Sequence, residues 1–158
     1  MIEYADEHDR PLLIAPPSEA FPLRRKAVGA VLCDRRGRAF VRRRTSERGV
    51  ETWDISAETY VRSGEAREEA VGRAVRETLG LSNVPFGEAV PAAFKPAGGN
   101  VSLTLFLAEL PGLLPPDSLR EGHFLDREEL VGMAETFPDL FSPVLLWAIG
   151  TGCLWKRR

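Results

Sequence analysis

The sequence predicts an α/β fold in which helices cover both faces of a mixed β-sheet, an α/β/α sandwich. Strand patterns precede one amphipathic helix at residues 64–80, an alternating strand follows at residues 101–109, and two helices end the chain. Strands with helices between and after them bury both faces of the sheet, which gives three layers. At 158 residues the chain is long enough for one such domain with a core of its own.

Four stretches before the central helix have the apolar and β-branched composition of strands: residues 2–6, 11–15, 27–34 and 39–45. The last two flank a turn that contains Gly37, which predicts a hairpin. The first two lie in an N-terminal extension, residues 1–22. We expect this extension to belong to one domain of residues 1–158.

The helix at residues 64–80 carries apolar residues on one side and charge on another. Its apolar positions recur at helical spacing, at Ala70, Val71, Val75 and Leu79, and Gly80 predicts its end. Its charged positions are each four residues apart, at Glu65, Glu69, Arg73 and Glu77. This spacing lines the charges along one ridge, where acid and base can pair.

Beyond this helix the sequence predicts three strands and two helices, in the order 84–94, 101–109, 120–125, 127–136 and 142–150. Pro85 and Pro91 place the first of these strands at an edge of the sheet, because proline cannot donate a ladder hydrogen bond. Asp126, with Glu129 three residues later, is the expected N-cap of the first of these helices.

Residues 59–81 resemble the signature of the Nudix hydrolases, G-x5-E-x7-R-E-U-x-E-E-x-G-U, in which U is a bulky aliphatic residue. The match holds at Glu65, Arg73, Val75, Glu77, Gly80 and Leu81. The opening glycine and two of the glutamates are replaced, by Thr59, Ala74 and Thr78. The motif is therefore degenerate at the positions that bear carboxylates in the family.

The flanking segments are similar to the same family. WDIS at residues 53–56 and AVGAVLCDRRGRAFVRRRT at residues 27–45 resemble the strands that precede the motif. Residues 3–21 resemble the N-terminal strand and turn of the branch related to isopentenyl-diphosphate isomerase. The resemblance implies a Nudix-type α/β/α sandwich. The isomerase's metal-binding histidines and catalytic cysteine correspond here to Arg25, Tyr60 and Glu58, which argues against isomerase activity.

The resemblance implies hydrolysis of a diphosphate linkage with Mg²⁺ or Mn²⁺. A bound Mg²⁺ neutralises phosphate oxygens and activates water, and it is held by a few carboxylates. Of the three glutamates that would share the helix face, Glu77 alone is present. Glu77 is therefore the candidate catalytic residue and metal ligand, and Glu69 is a second candidate ligand. Four carboxylates from other segments are further candidates to complete the site: Glu58, Glu88, Glu109 and Glu121.

Other positions carry predicted roles outside the metal site. In the family the pair Glu65 and Arg73 ties the turn to the helix, so we expect structural roles for both and for Gly80. Arg42 and Arg44 are candidate ligands for substrate phosphate, because a guanidinium group binds phosphate bidentately. Because residues alternate between the two faces of a strand, we expect Arg43 to lie on the face opposite Arg42 and Arg44.

Two functions follow from these residues. The first is a Nudix-type hydrolase of a nucleoside diphosphate derivative or a related compound, weakened by the loss of two glutamates. The alternative is a catalytically silent Nudix domain that binds a phosphorylated ligand or a protein partner through the basic strands. Dependence on a divalent metal separates the two.

Composition excludes several other classes. The net charge is −2, and no motif for binding nucleic acid accompanies the basic strands. Cys33 and Cys153 form no metal-ligand or redox pattern, which favours a reducing cytoplasm. The acidic N-terminus predicts no signal peptide, and the apolar C-terminal stretch is too interrupted for a membrane span. The oligomeric state is not fixed, and a homodimer is compatible with the sequence.

Overall fold

The computed structural model of the chain describes residues 1–6, 10–16, 23–45, 48–96, 99–110, 112, 114, 120 and 122–155. Within these residues the strands are β1 (Ile2–Ala5), β2 (Pro11–Ala15), β3 (Arg24–Cys33), β4 (Ala39–Thr45), β5 (Glu51–Asp54), β6 (Ala57–Tyr60), β7 (Val101–Glu109) and β8 (Gly122–Leu125). The helices are α1 (Arg67–Leu79), α2 (Arg127–Thr136) and α3 (Pro143–Thr151), with 3₁₀ turns at Pro138–Leu140 and Cys153–Trp155. No helix in this part of the chain is long and apolar enough to cross a membrane.

β3 is the central strand of a mixed sheet. It pairs in parallel with β7 and antiparallel with β6, and its first residues pair with β1, which in turn pairs with β2. β3 and β4 meet at Cys33 and Ala39, around a turn in which Gly37 has a φ of 77°. β4 then pairs with β5 and β8. The predicted mixed sheet is confirmed, and the predicted hairpin separates beyond its first residue pair.

Helices cover both faces of this sheet, because alternate residues of its strands point to opposite sides. On β3, Val28 and Leu32 pack against α1, whereas Val31 packs on the side of α2 and α3. β7 is divided in the same way, with Phe106 on the α1 side and Leu105 on the other. The α/β/α sandwich predicted from the sequence is confirmed.

The segment after α1 is not the strand that the sequence predicted over residues 84–94. It lies beside β7 in an irregular conformation, with the amides of Val90 and Phe94 donating to carbonyls of β7 at 2.8 and 2.9 Å. Pro85 and Pro91 supply no amide hydrogen, so a regular ladder cannot form along this segment.

The stretch between Trp53 and α1 contains a strand that the sequence did not predict. This strand, β6, pairs antiparallel with β3. Successive residues of a strand point to opposite faces, so Thr59 faces α1 and Glu58 faces the ends of β4 and β5. Thr59, the first residue of the signature, therefore lies on the α1 side of the sheet, whereas Glu58 lies on the other side.

Candidate functional site

Arg73 of α1 joins the helix to the segment before it. Its Nε and Nη2 atoms donate to the two carboxylate oxygens of Glu65 at 2.9 and 3.0 Å, the bidentate geometry that guanidinium groups favour. Nη2 also donates to the Tyr60 carbonyl at 2.9 Å, and Nη1 donates to Thr59 Oγ1 at 3.2 Å. The hydrogen bonds from Arg73 hold the pKa of Glu65 below its usual value, despite partial burial. These are the contacts that structural roles for Glu65 and Arg73 require.

Gly80 ends α1 in the left-handed conformation, with a φ of 70°. Its amide donates to the carbonyl of Arg76 at 2.9 Å, which satisfies one of the carbonyls left over at a helix C-terminus. Only glycine adopts this backbone without a steric penalty. The position is that of a helix-terminating residue, as its structural assignment requires.

Glu77 is the only carboxylate among the three helix positions that bear glutamate in the signature. Its side chain is 56% exposed, and its Oε2 lies 3.6 Å from Arg73 Nη1. Ala74 is 1% exposed and packs in the core between α1 and the sheet, and Thr78 is half-buried. Positions 74, 77 and 78 of α1 therefore present one carboxylate, already paired with an arginine, where Mg²⁺ would need several oxygen ligands.

Glu69, the second candidate metal ligand, lies at the other end of α1. It is exposed and accepts a hydrogen bond from the Ala66 amide at 3.4 Å in the first turn. Eight residues of helix separate it from Glu77, a rise of about 12 Å, so the structure does not bring the two together. Among the described residues, no group of three or more His, Cys, Asp or Glu side chains could hold a metal ion. The side chains of the described residues, which do not include the candidate ligand Glu121, do not fit a Nudix metal centre.

A cavity of about 470 Å³, the strand-end pocket, opens where β4, β5 and β6 meet the start of α3. Its walls are largely apolar and include Phe94, Leu103, Phe141 and Val144. Its polar side chains are Arg44, Thr45, Thr52, Asp54, Glu58 and Ser142. Its size and its combination of apolar walls with a few convergent polar groups are typical of small-molecule sites.

A larger cavity, of about 620 Å³, lies beside the β3–β4 turn. Asp34, one of its charged residues, is bound within that turn, with Oδ2 2.6 Å from Arg38 Nε and Oδ1 accepting from backbone amides. The strand-end pocket instead presents charged groups from three different strands. We therefore take it as the candidate site.

Asp54 is the buried anchor of this pocket, with a side chain only 4% exposed. Its Oδ1 accepts from Ser142 Oγ at 2.7 Å and from the Ile55 amide at 2.8 Å, and its Oδ2 accepts from Arg44 Nη1 at 2.9 Å. Ser142 is the N-cap of α3, so Asp54 connects the strands to that helix. Asp54 thereby fixes the direction in which Arg44 points.

Arg44 lies between two carboxylates. The Nη1 atom that contacts Asp54 also donates to Glu58 Oε1 at 2.7 Å. The hydrogen bond from Arg44 to Asp54 raises the pKa of Arg44, so its guanidinium stays charged. Burial and the charge of Asp54 raise the pKa of Glu58, although the charges of Arg44 and Arg42 oppose that shift. The pocket thus holds a fixed cation beside an acid whose ionisation is disfavoured.

The structure places Arg42 and Arg44 on one side of β4, as alternation predicts. Arg42 is half-buried and close enough to Glu58 for its charge to act on that carboxyl. Arg43 lies on the opposite face, 3.7 Å from Glu51. Sequence reasoning brought Arg42 and Arg44 together correctly as a pair and missed Asp54. The sequence signal for Asp54 was weak, because the strand that follows the run of arginines carries two acids, Glu51 and Asp54.

Comparisons with known proteins identify the family. The model of the NUDIX domain matches residues 23–145. DR0079 from Deinococcus radiodurans has a similar structure, with a TM-score of 0.74, 20% identity, and coverage of 98% of this chain and 99% of that one. A MutT protein from Methanosarcina mazei Go1 is also similar, with a TM-score of 0.60, 20% identity, and coverage of 82% and 94%.

A NUDIX hydrolase from Nitrosomonas europaea shows the same likeness, with a TM-score of 0.61, 14% identity, and coverage of 85% and 91% of the two chains. At these identities the structural likeness shows the fold alone. Among curated proteins, none matches the sequence significantly. The domain match spans most of the chain and agrees with the architecture and with the partial signature, and this chain therefore belongs to the Nudix domain family.

Proposed function

We propose that this protein is a Nudix domain that binds a phosphorylated small molecule in the strand-end pocket and does not depend on a divalent metal for that binding. The observation that supports the proposal is the position of Arg44, which is held by the buried Asp54 at 2.9 Å and lines an apolar cavity. A guanidinium group fixed in this way is pre-organised for phosphate, because little side-chain freedom is lost when the anion binds.

Arg44 keeps hydrogen-bond donors for a ligand. Among the described residues, both of its side-chain hydrogen bonds come from Nη1, to Asp54 and Glu58. Nε and Nη2 are therefore available to a phosphate. Arg42, on the same side of β4, adds a second positive charge near Glu58. The formal charges of the two arginines, Asp54 and Glu58 sum to zero when both acids are ionised. An incoming anion therefore does not meet a net negative charge.

The face of α1 that carries positions 74, 77 and 78, where the family has its metal-binding glutamates, supports binding over catalysis. Metal ions contribute several kcal/mol of transition-state stabilisation in phosphate cleavage, and each 1.4 kcal/mol is about a tenfold change in rate. One paired, exposed glutamate cannot supply the coordination that Mg²⁺ takes from two or three. We therefore expect cleavage through Glu77 alone to be several orders of magnitude slower than with a complete ligand set.

Binding through Arg44 is tested with Arg44→Gln and the matched control Arg43→Gln. Both variants remove one guanidinium from β4, but Arg43 lies on the opposite face, beside Glu51. Isothermal titration with a panel of nucleoside phosphates, prenyl phosphates and inorganic pyrophosphate, in the presence of chelator, should show binding to the control and at least about tenfold weaker binding to Arg44→Gln. Equal affinity in the two variants would contradict the proposal.

A hydrolase of a diphosphate linkage is the second candidate function. It is favoured by the exposed carboxylate of Glu77 and by the intact contacts between Arg73 and Glu65 that position α1. Hydrolase activity is measured as phosphate release from the same panel of compounds with Mg²⁺, with Mn²⁺ and with chelator. Metal-dependent release that is lost in Glu77→Gln, and kept in the control Glu68→Gln, would favour the hydrolase over the binding domain.

Location and assembly complete the proposal. We infer a cytoplasmic protein from Cys33 and Cys153, which are both free thiols. Light scattering of the purified chain distinguishes a monomer from the homodimer that the sequence allows.

A further inference from the structure

Asp54 and Glu58 contact the same nitrogen of Arg44 but are held very differently. The side chain of Asp54 is 4% exposed and accepts three hydrogen bonds, from Arg44, Ser142 and the Ile55 amide. The side chain of Glu58 is 32% exposed, and among the described residues its one hydrogen-bond donor is Arg44. Asp54 therefore fixes the arginine, whereas Glu58 can leave it at the cost of a single contact.

Glu58 also lies inside the strand-end pocket, in contact with the guanidinium group of Arg44. It lines the strand-end pocket, and its Oε1 lies 2.7 Å from Arg44 Nη1. A phosphate oxygen that binds a guanidinium takes the same kind of position, within hydrogen-bond distance of the nitrogen. A phosphate on the neighbouring Nη2 would lie beside the Glu58 carboxylate on Nη1, and the two anions would repel one another.

We propose that Glu58 is an internal competitor for the ligand, a carboxylate that occupies Arg44 in the empty pocket and is displaced by the ligand's anionic group. This inference rests on the proposed function, because it concerns the same arginine. It makes Glu58 a residue that sets affinity and selectivity without holding the ligand.

The need to displace Glu58 favours a ligand phosphate over a ligand carboxylate. A ligand carboxylate that replaces Glu58 exchanges one singly charged oxygen group for another, so its electrostatic gain at Arg44 is small. A terminal phosphate carries up to two negative charges and three acceptor oxygens, so it gains more from Arg44 and Arg42 than Glu58 did. The apolar walls formed by Phe94, Leu103, Phe141 and Val144 then favour an organic phosphate with an apolar body over inorganic phosphate.

The test compares Glu58→Gln with Glu51→Gln. Both changes remove one carboxylate that pairs with an arginine of β4, but Glu51 is exposed and pairs with Arg43 outside the pocket. The probes are phenyl phosphate and benzoate, which share an apolar ring and differ in their anionic group. We expect wild type to prefer phenyl phosphate. Glu58→Gln should bind both probes about three- to tenfold more tightly, with the larger gain for benzoate, and Glu51→Gln should match wild type.

Each result has a definite meaning. Tighter binding in Glu58→Gln, repeated in Glu58→Ala and absent from Glu51→Gln, supports competition. Unchanged or weaker binding in both Glu58 variants, with binding still lost in Arg44→Gln, overturns this inference and leaves the proposed function standing. Binding that Arg44→Gln does not weaken overturns the proposed function and the inference with it, as does absence of binding in every variant. Circular dichroism melts establish that each variant is folded.

Discussion

Ser142 donates a hydrogen bond to Asp54 across 88 residues of sequence, with 2.7 Å between Ser142 Oγ and Asp54 Oδ1. The contact joins the end of β5 to the first turn of α3, and so it closes one wall of the strand-end pocket. The same serine accepts from the Leu145 amide at 3.3 Å as the helix N-cap. One hydroxyl therefore both starts a helix and completes the buried set of bonds around Asp54.

Ser142→Ala is expected to destabilise the fold by about 1–2 kcal/mol, because it removes an N-cap and leaves a buried carboxylate with one donor fewer. Urea unfolding followed by circular dichroism measures the change. Ser82→Ala, at an exposed position, serves as the control and should change stability by less than about 0.5 kcal/mol. A loss no larger than that of the control would contradict the bridging role of Ser142.

Arg73→Ala is expected to cost about 3 kcal/mol of unfolding free energy, because Arg73 is buried and the half-buried carboxylate of Glu65 would be left without its main partner. The comparison is Arg10→Ala, which breaks the exposed pair with Asp6, in which the arginine side chain is 71% exposed. That variant should lose no more than about 0.5 kcal/mol. Similar losses in the two variants would show that the contacts of Arg73 do not anchor α1.

Much of the fold could be predicted from the sequence because its signals are local. Three patterns each span fewer than about fifteen consecutive residues: the alternation along β7, the helical spacing in α1 and the Asp126 cap. The structure confirms all three. The segment from residue 84 to 94 has a strand-like composition, yet its prolines prevent a ladder. β6 is four residues long and has no period of its own, so its pairing with β3 could not be predicted.

The candidate site was harder to predict because its residues meet through long-range contacts. Arg42 and Arg44 were predicted as phosphate ligands from the chemistry of guanidinium and phosphate, and alternation correctly placed Arg43 on the opposite face of β4. The bond between Asp54 and Ser142 depends on how α3 packs on the sheet, which no local pattern specifies. Glu77 was identified from the signature, and its exposure on α1 became visible only in the structure.

Glu58→Gln is expected to stabilise the fold above the raised pKa of Glu58, because ionisation of this carboxyl is disfavoured by burial and by Asp54. The sign follows from proton binding. Between the ordinary value of 4.5 and the raised pKa, the folded state binds more protons than the unfolded state, so wild-type stability falls as the pH rises through that window. The glutamine variant has no such dependence at this position.

Urea midpoints of wild type and Glu58→Gln across a pH series test this expectation. The difference in stability should grow as the pH rises through the window, and it should shrink when the pH falls below about 4.5, where Glu58 is protonated in both states. A difference that is constant with pH, or one that grows towards acid, would contradict the raised pKa. The same series with Glu51→Gln corrects for the general loss of a carboxylate.

Ala74→Glu tests whether position 74, which bears a glutamate in the family signature, faces the core in this protein. Ala74 is 1% exposed among apolar side chains, so a glutamate placed there loses its hydration and is expected to cost about 3 kcal/mol of unfolding free energy. Thr78→Glu, at a half-buried position on the same helix, should cost about 1 kcal/mol or less. Melting temperatures with Mg²⁺ and with chelator measure whether either variant has gained an ion. If Ala74→Glu were as stable as wild type and Mg²⁺ stabilised it further, position 74 would face a ligand site, and the hydrolase would become the stronger candidate.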